Sequence, residues 1–278
     1  MSEWKGSSIP YETNVDNGIS MLWNVCYEPQ PTKPKPFPKD MKSYRTTFTD
    51  IVNTYQPPVI VVENEEINKN WHSGPMTDYI NMLKVALDVC HAKGIKVTNG
   101  GIYGPQLEVL TYRYLQTKSQ KRADSFGNNC MYAWQIKAAQ TVNSNASLEK
   151  DVRQLDTLLN FYVNLDYINI HEYEPFNPNL STSAKSQVGT ITPVVIADLQ
   201  EYLQTRTGRI VITNETGQRD NTNPSLVTAM MTEYDRLKFP YVMWYSGTGV
   251  SGAQPLYNMT TGALNPNGQA FSNFMAVY

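Results

Sequence analysis

The sequence predicts an α/β fold, a barrel of parallel strands wrapped by helices, and three observations carry that reading. Short, wholly apolar runs recur along the chain. Helix patterns with one apolar face separate them. Polar and acidic residues gather where the runs stop. Continuous apolar runs are strands covered on both faces, and an acid at the carboxyl end of such a strand is where barrels build their active sites.

Six strands are expected, near residues 18–24, 58–62, 95–98, 167–170, 210–213 and 241–244. Gly18-Ile-Ser-Met-Leu-Trp-Asn24 comes first and runs into residues 29–38, whose repeated X-Pro junctions exclude helix and sheet interior. A helix over 40–55 precedes Pro58-Val-Ile-Val-Val62, which ends in Glu63-Asn64-Glu65-Glu66. The next helix takes Thr77 as its N-cap, sets Ile80, Leu83, Leu87 and Cys90 on one face, and stops at Gly94. Ile95-Lys-Val-Thr98 then leads to Asn99-Gly100-Gly101.

Residues 105–164 read as mostly helical, looser around 124–129, with Leu148, Val152, Leu155, Leu159 and Tyr162 marking the last helix. Tyr167-Ile-Asn-Ile170 ends in His171-Glu172-Tyr173. Pro193, at a helix N1 position, opens a helix that buries Ile196, Leu199 and Leu203 and ends at Gly208. Ile210-Val-Ile212 stops abruptly and delivers Asn214 and Glu215. A helix over 224–238, the strand Tyr241-Val-Met-Trp244 and a closing helix over 269–277 follow. A (β/α)8 barrel of the TIM type takes eight strands. The pattern therefore lacks the first one or two β/α units, whose place is before residue 18. With no linker and no short internal repeat, residues 1–278 read as a single domain.

Composition narrows the partners. The chain of 278 residues is 41% hydrophobic but only 17% charged, and its net charge is −2. That balance gives no electrostatic reason to expect nucleic acid or an anionic membrane. No apolar run approaches the ~20 residues that span a bilayer, and the first residues lack the apolar core of a signal peptide. The chain reads as soluble. Eighteen tyrosines and five tryptophans suit neutral polar ligands such as sugars. Cys26, Cys90 and Cys130 are odd in number and form no CxxC, so they read as buried thiols or at most one bridge. His72 and His91 lack partners at ligand spacing, and neither a metal nor an organic cofactor is expected.

The residues at the strand ends are Trp23 and Asn24, Asn64 and Glu65, Asn99, His171 and Tyr173, Asn214 and Glu215, and Trp244. Two carboxylates flanking a glycosidic bond can hydrolyse it, one as nucleophile and the other as general acid, then base. An Asn beside each can bond a sugar hydroxyl or fix the carboxylate. A Tyr hydroxyl can keep the nucleophile ionised, and a Trp ring offers a flat platform for the C–H face of a sugar.

The order Asn64-Glu65, His171-Glu172-Tyr173, Glu215, Trp244 resembles the later strands of the clan A retaining glycoside hydrolases, especially families 5 and 39. Lys96-Val-Thr-Asn-Gly-Gly101 and Thr213-Asn-Glu-Thr-Gly217 are similar to uncharacterised bacterial glycosyl hydrolase-like proteins. The resemblance covers residues 18–278. It implies Glu65 as acid/base, Glu215 as nucleophile, and a β-linked poly- or oligosaccharide substrate cleaved with retention. Asn64, His171, Tyr173, Asn99 and Asn214 would bind substrate or orient the carboxylates, with Trp244 and Trp23 as platform. Relatives are typically exported, whereas no signal is visible here, which leaves the compartment open.

Two departures stand out. The family's Asn-Glu-Pro reads Asn64-Glu65-Glu66, and the strand that commonly carries an Arg near the nucleophile is not visible. A truncated N-terminus, an open barrel and completion by another chain each account for the missing strands. A different class of reading is an inactive barrel that binds carbohydrate. Glu63, which alternation would point with Glu65, competes for the acid role. Glu172 points away from its neighbours and reads as structural. His171 also fits a satisfied core histidine, with the functional reading slightly ahead. Gly247-Thr-Gly-Val-Ser-Gly252 reads as a loop rather than a nucleotide site, since no helix or βαβ unit follows it. Asn214-Glu-Thr216 is formally a glycosylation sequon, but it falls in the expected site.

Overall fold

The computed structural model describes residues 22–27, 33–173, 188–217, 223–245, 256–258 and 260–277, excluding the side chains of 188–194. The strands are β1 (Leu22–Val25), β2 (Lys35–Pro36), β3 (Val59–Val62), β4 (His72–Ser73), β5 (Lys96–Asn99), β6 (Tyr167–Tyr173), β7 (Ile210–Gly217) and β8 (Val242–Trp244). Six of them form one sheet in the order β1-β3-β5-β6-β7-β8, while β2 and β4 form a separate ribbon. β1 pairs with β3, β3 with β5, β5 with β6, and β7 with β8, all in parallel. This is an α/β fold of the TIM-barrel type; among the described residues its main sheet has six strands, where a closed barrel has eight. All six lie where the apolar runs predict them.

The helices are α1 (Met41–Tyr55), α2 (Met76–His91), α3 (Pro105–Lys118), α4 (Gln120–Cys130), α5 (Ala133–Gln140), α6 (Ala146–Tyr162), α7 (Val188–Thr207), α8 (Pro224–Arg236) and α9 (Pro266–Met275). The chain divides into two compact units, one of residues 1–103, 153–169 and 207–210, the other of 104–152, 170–206 and 211–278.

In the first unit every residue of β3 is fully buried, as a strand covered on both faces must be. Helix α1 starts where Asp40 accepts from the Lys42 and Ser43 amides, both at 3.0 Å, and it buries Tyr44, Phe48 and Val52. Helix α2 starts two residues earlier than Thr77 would allow, with Pro75 as N-cap and no side-chain cap bond. Proline has no N–H to leave unsatisfied, which suits a helix start. Past its end Gly94 takes φ 73, a left-handed conformation that costs glycine least.

Of the helices between β5 and β6, the second unit carries α3, α4, α5 and the start of α6. The looser centre expected at 124–129 is helical, inside α4, and the breaks fall instead at Ser119, Met131–Tyr132 and 141–145. Arg113 ties three helices together: it donates to Glu149 on α6 at 2.7 and 3.2 Å and to the Ala138 and Ala139 carbonyls of α5. Arg122 of α4 likewise grips Asp198 and Glu201 of α7. Helix α7 begins at Val188, upstream of Pro193, so that proline is not its opening residue; Ile196, Leu199 and Leu203 are buried as expected. The closing helix starts at Pro266 rather than 269, because Asn265 caps it through the Gly268 amide at 2.9 Å.

Among the described residues, Cys26, Cys90 and Cys130 are free thiols, and burial pushes the Cys90 thiol up to about 12. No described helix is long and apolar enough to cross a membrane. The chain before Leu22 and the 247–252 glycine run lie outside the described residues.

Candidate active site

The two expected carboxylates fall one in each unit, and each has hydrogen-bond partners inside its own. Glu215 stands on β7 in the second. There Thr213 pairs with Val242 and Thr216 with Trp244, so three steps on β7 match two on β8. The extra residue is a bulge, and bulges re-aim side chains beside functional sites. It puts Asn214 and Glu215 together in partly exposed positions between buried Thr213 and Thr216. The Tyr173 hydroxyl donates to Glu215 Oε1. His171 Nδ1 lies 3.6 Å from Glu215 Oε2, with the imidazole fully buried and the carboxylate 18% exposed. His171 Nε2–H donates to Asn214 Oδ1 at 2.9 Å, which fixes the ring. Tyr245 meets the Tyr173 ring edge-on, with 6.3 Å between centroids, and burial, then the Glu215 charge, raises its phenol above its ordinary value.

Beneath the carboxylate the packing is tight. Thr216 donates to the Glu172 carbonyl at 2.7 Å and shares a hydrogen bond with Tyr234 of α8 at 2.9 Å. A Cβ on Gly217 would lie 3.3 Å from the Tyr245 carbonyl oxygen and 3.4 Å from the Tyr173 ring, so the strand passes close to both tyrosines. Trp244 tilts against Phe271 of α9, with 6.2 Å between ring centroids. Its buried indole N–H has no hydrogen-bond partner among the described residues.

Glu65 belongs to the first unit. Strand β3 stops at Val62, and Glu63 and Glu65 then take φ 68 and φ 46. Left-handed backbone at non-glycine residues costs on the order of 1–3 kcal/mol each and recurs at functional sites. The extended alternation therefore ends at Val62, and Glu63 does not point with Glu65. Its carboxylate, 1% exposed, accepts from the Tyr27 amide at 2.6 Å. The Glu65 amide donates to the Gly100 carbonyl at 3.2 Å. Its Oε2 accepts from Asn68 Nδ2 at 2.6 Å and from Trp71 Nε1 at 2.9 Å. The Asn64 carbonyl accepts from His72 Nε2 at 2.8 Å. Burial lowers the His72 imidazole against the opposing pull of that bond and of the Glu65 charge.

The other expected residues are placed differently. Asn99 is fully buried. Its Nδ2 donates to Glu66 Oε1 at 3.1 Å and the Asn169 carbonyl at 2.9 Å, while Oδ1 accepts from the Asn169 amide at 2.7 Å. The amide is committed to joining β5 and β6. Trp23 lies on Tyr55, the last residue of α1, with ring centroids 4.1 Å apart. Asn64 is partly exposed.

Sequence reasoning missed several contributors. Glu66 is fully buried and accepts from Tyr162 of α6 as well as from Asn99. Tyr79 of α2 donates to the Val62 carbonyl at 2.9 Å and accepts from the Gly100 amide at 3.0 Å, stapling the ends of β3 and β5. Asn68 and Trp71 sit in a stretch with no period, and only their distance of three and six residues from Glu65 hinted at a local contact.

The sequence matches no protein-family model and no curated protein. Solved structures do resemble it. A glucosidase from Croceicoccus marinus aligns at TM-score 0.58 and 11% identity over 94% of this chain and 51% of its own, so the chain spans about half the length of that enzyme. A glycoside hydrolase 5 lichenase from a Caldicellulosiruptor species, solved with cellotetraose, aligns at 0.54 and 13% over 95% and 72%. Cel5A of Thermotoga maritima, solved with cellobiose, aligns at 0.51 and 11% over 94% and 74%. The family 39 part of the resemblance finds no counterpart in their names. At such identities the likeness is one of fold, and the fold this chain shares with these glycosidases is the β/α barrel.

Proposed function

We propose that the protein is a retaining glycoside hydrolase acting on β-linked poly- or oligosaccharide. The observation that carries the reading is the grip on Glu215: a carboxylate on a bulged strand end, held by the Tyr173 phenol and flanked by His171. The phenol fixes which way the carboxylate points, and a reacting oxygen held in one orientation is what attack on a bound carbon needs. Glu215 attacks the anomeric carbon and the glycosidic C–O bond breaks as Glu65 gives its proton to the departing oxygen. Glu65, now a carboxylate, takes a proton from water, whose oxygen displaces Glu215 and releases the sugar. His171 and Asn214 orient Glu215. Asn64 and Trp244 face substrate, with Trp23 and Asn99 in supporting positions. The names of the structural neighbours, a glucosidase, a lichenase with cellotetraose and an enzyme with cellobiose, support the substrate class.

The test is hydrolysis of β-glucan, mannan, xylan and aryl β-glycosides by wild type and Glu215→Gln, with binding calorimetry in parallel. Turnover by wild type alone, with retained anomeric configuration, is expected. Turnover by the variant at the wild-type rate overturns the assignment. Binding without cleavage by wild type selects the inactive, carbohydrate-binding barrel instead.

A further inference from the structure

The segment from Asn64 to Ser73 folds on itself around Glu65. The Glu65 carbonyl accepts from the Asn68 amide at 2.8 Å, and the Asn68 carbonyl accepts from the Trp71 and His72 amides, both at 3.0 Å. The β2–β4 ribbon clips this segment from outside, with the Lys35 amide donating to the Trp71 carbonyl at 3.0 Å. Phe37 stacks on His72 with ring centroids 4.7 Å apart and tilts against Tyr79 at 5.2 Å. The result is a small, closed hydrogen-bonded loop with one carboxylate at its centre.

Two donors meet one oxygen of that carboxylate, and neither is able to act as an acceptor there. The Trp71 indole N–H only donates. Asn68 is fixed in orientation because its Oδ1 accepts from the Asn70 amide at 2.9 Å, which leaves Nδ2 for Glu65. A proton on Oε2 would face two N–H groups, so Oε2 has no place for one. We infer that Trp71, with Asn68, is a positioning residue that confines the transferable proton of Glu65 to Oε1 and aims it at the leaving oxygen. This rests on Glu65 being the general acid of the proposed function. The proton passes from Oε1 to the glycosidic oxygen as the C–O bond breaks, and the negative charge left on Glu65 is then held by the Trp71 and Asn68 hydrogen bonds.

Leaving-group dependence separates this role from a structural one. An oligosaccharide leaves only with a proton, whereas 2,4-dinitrophenolate leaves without one. Trp71→Phe is expected to lower kcat/KM on a β-linked oligosaccharide about 10- to 100-fold, the scale of one hydrogen bond to a charged group. Its loss on the dinitrophenyl β-glycoside is expected to be at least about tenfold smaller. If Trp71→Phe does not fold, benzothienylalanine at position 71 keeps the ring shape and deletes only the N–H, with the same pattern expected. Equal losses on both substrates, while Glu65→Gln discriminates between them, overturn the role of Trp71 and leave Glu65 as the acid. Failure of Glu65→Gln itself to discriminate overturns both readings. An indole N–H resonance assigned to Trp71 that does not move in Glu65→Gln removes the hydrogen bond and the inference with it.

Discussion

Strand β5 is gripped differently at its two ends. At the lower end Asp166 accepts from His91 Nε2 at 2.8 Å, Lys96 Nζ at 3.2 Å and the Val97 amide at 2.8 Å. His91 and Lys96 are about half exposed, at 48% and 53%. At the upper end the grip is buried: the Asn99 amide between the Glu66 carboxyl and the Asn169 backbone, the Tyr79 hydroxyl and the bare Cα of Gly100. Charges in contact with water hold strands at little risk if one partner is lost. A buried junction built on close approach tolerates no such slack, but it fixes the turn that carries Glu65. Barrels keep stability at one end of their strands and chemistry at the other, and β5 displays both solutions four residues apart.

The sharpest way to sharpen that contrast is at the carboxylates of the upper edge. Glu215→Gln is expected to lower kcat/KM by about four orders of magnitude while leaving the urea midpoint within experimental error. A comparable loss of stability would make Glu215 a structural residue.

Next in size is Gly100→Ala. Its new methyl would meet the Glu63 carbonyl group and the Val62 oxygen, all at 2.8–2.9 Å and all backbone. Overpacking against atoms that cannot swing aside is expected to cost about 3 kcal/mol, read by urea unfolding, with a fall in activity as the Glu65 turn shifts. A neutral substitution would mean that the upper junction has the slack denied to it here.

Tyr173→Phe should cost less: about tenfold in kcat/KM, the loss of one hydrogen bond to a charged group. Unfolding should be unchanged, and steady-state kinetics checks both halves.

The smallest effect is expected at the lower end, with acid. Burial alone would raise the Asp166 carboxyl, but the bonds from His91, Val97 and Lys96 together hold it below its ordinary value. A depressed carboxyl contributes stability that is complete above the unfolded value, near 3.8, and fades as pH falls through the folded one. The urea midpoint of wild type should therefore drop below about pH 4 more steeply than that of Asp166→Asn. Parallel pH curves would show that the clamp contributes nothing.

How much of this was legible from residues alone depends on the range of the interaction. The strands were, because a run such as Pro58-Val-Ile-Val-Val62 has one physical home, and α1, α2 and α8 were within a few residues because their apolar faces repeat. Helix boundaries set by a cap chosen among neighbours, Pro75 over Thr77 or Asn265 over later residues, were not. The second unit's helices were blurred because polar stretches such as Asp124-Ser-Phe-Gly-Asn-Asn129 are held helical by Arg122 and Phe126 packing, contacts distant in sequence. At the site, Tyr173 beside Glu215 was legible as a type of residue on a neighbouring strand. The inward turn of Glu63 was not, because the strand ends at Val62 in backbone that no periodicity announces. Asn99 looked like a ligand for sugar and is a bolt in the sheet, a difference that only burial reveals.

The Tyr79 staple has a consequence in time rather than in space. The Gly100 amide finds its acceptor on a helix, not on a strand, so it exchanges with solvent only when α2 lifts from the sheet. Its deuterium uptake would report how often the floor beneath Glu65 opens. In Tyr79→Phe the same amide should exchange faster than the Val62 and Asn99 amides on either side of it.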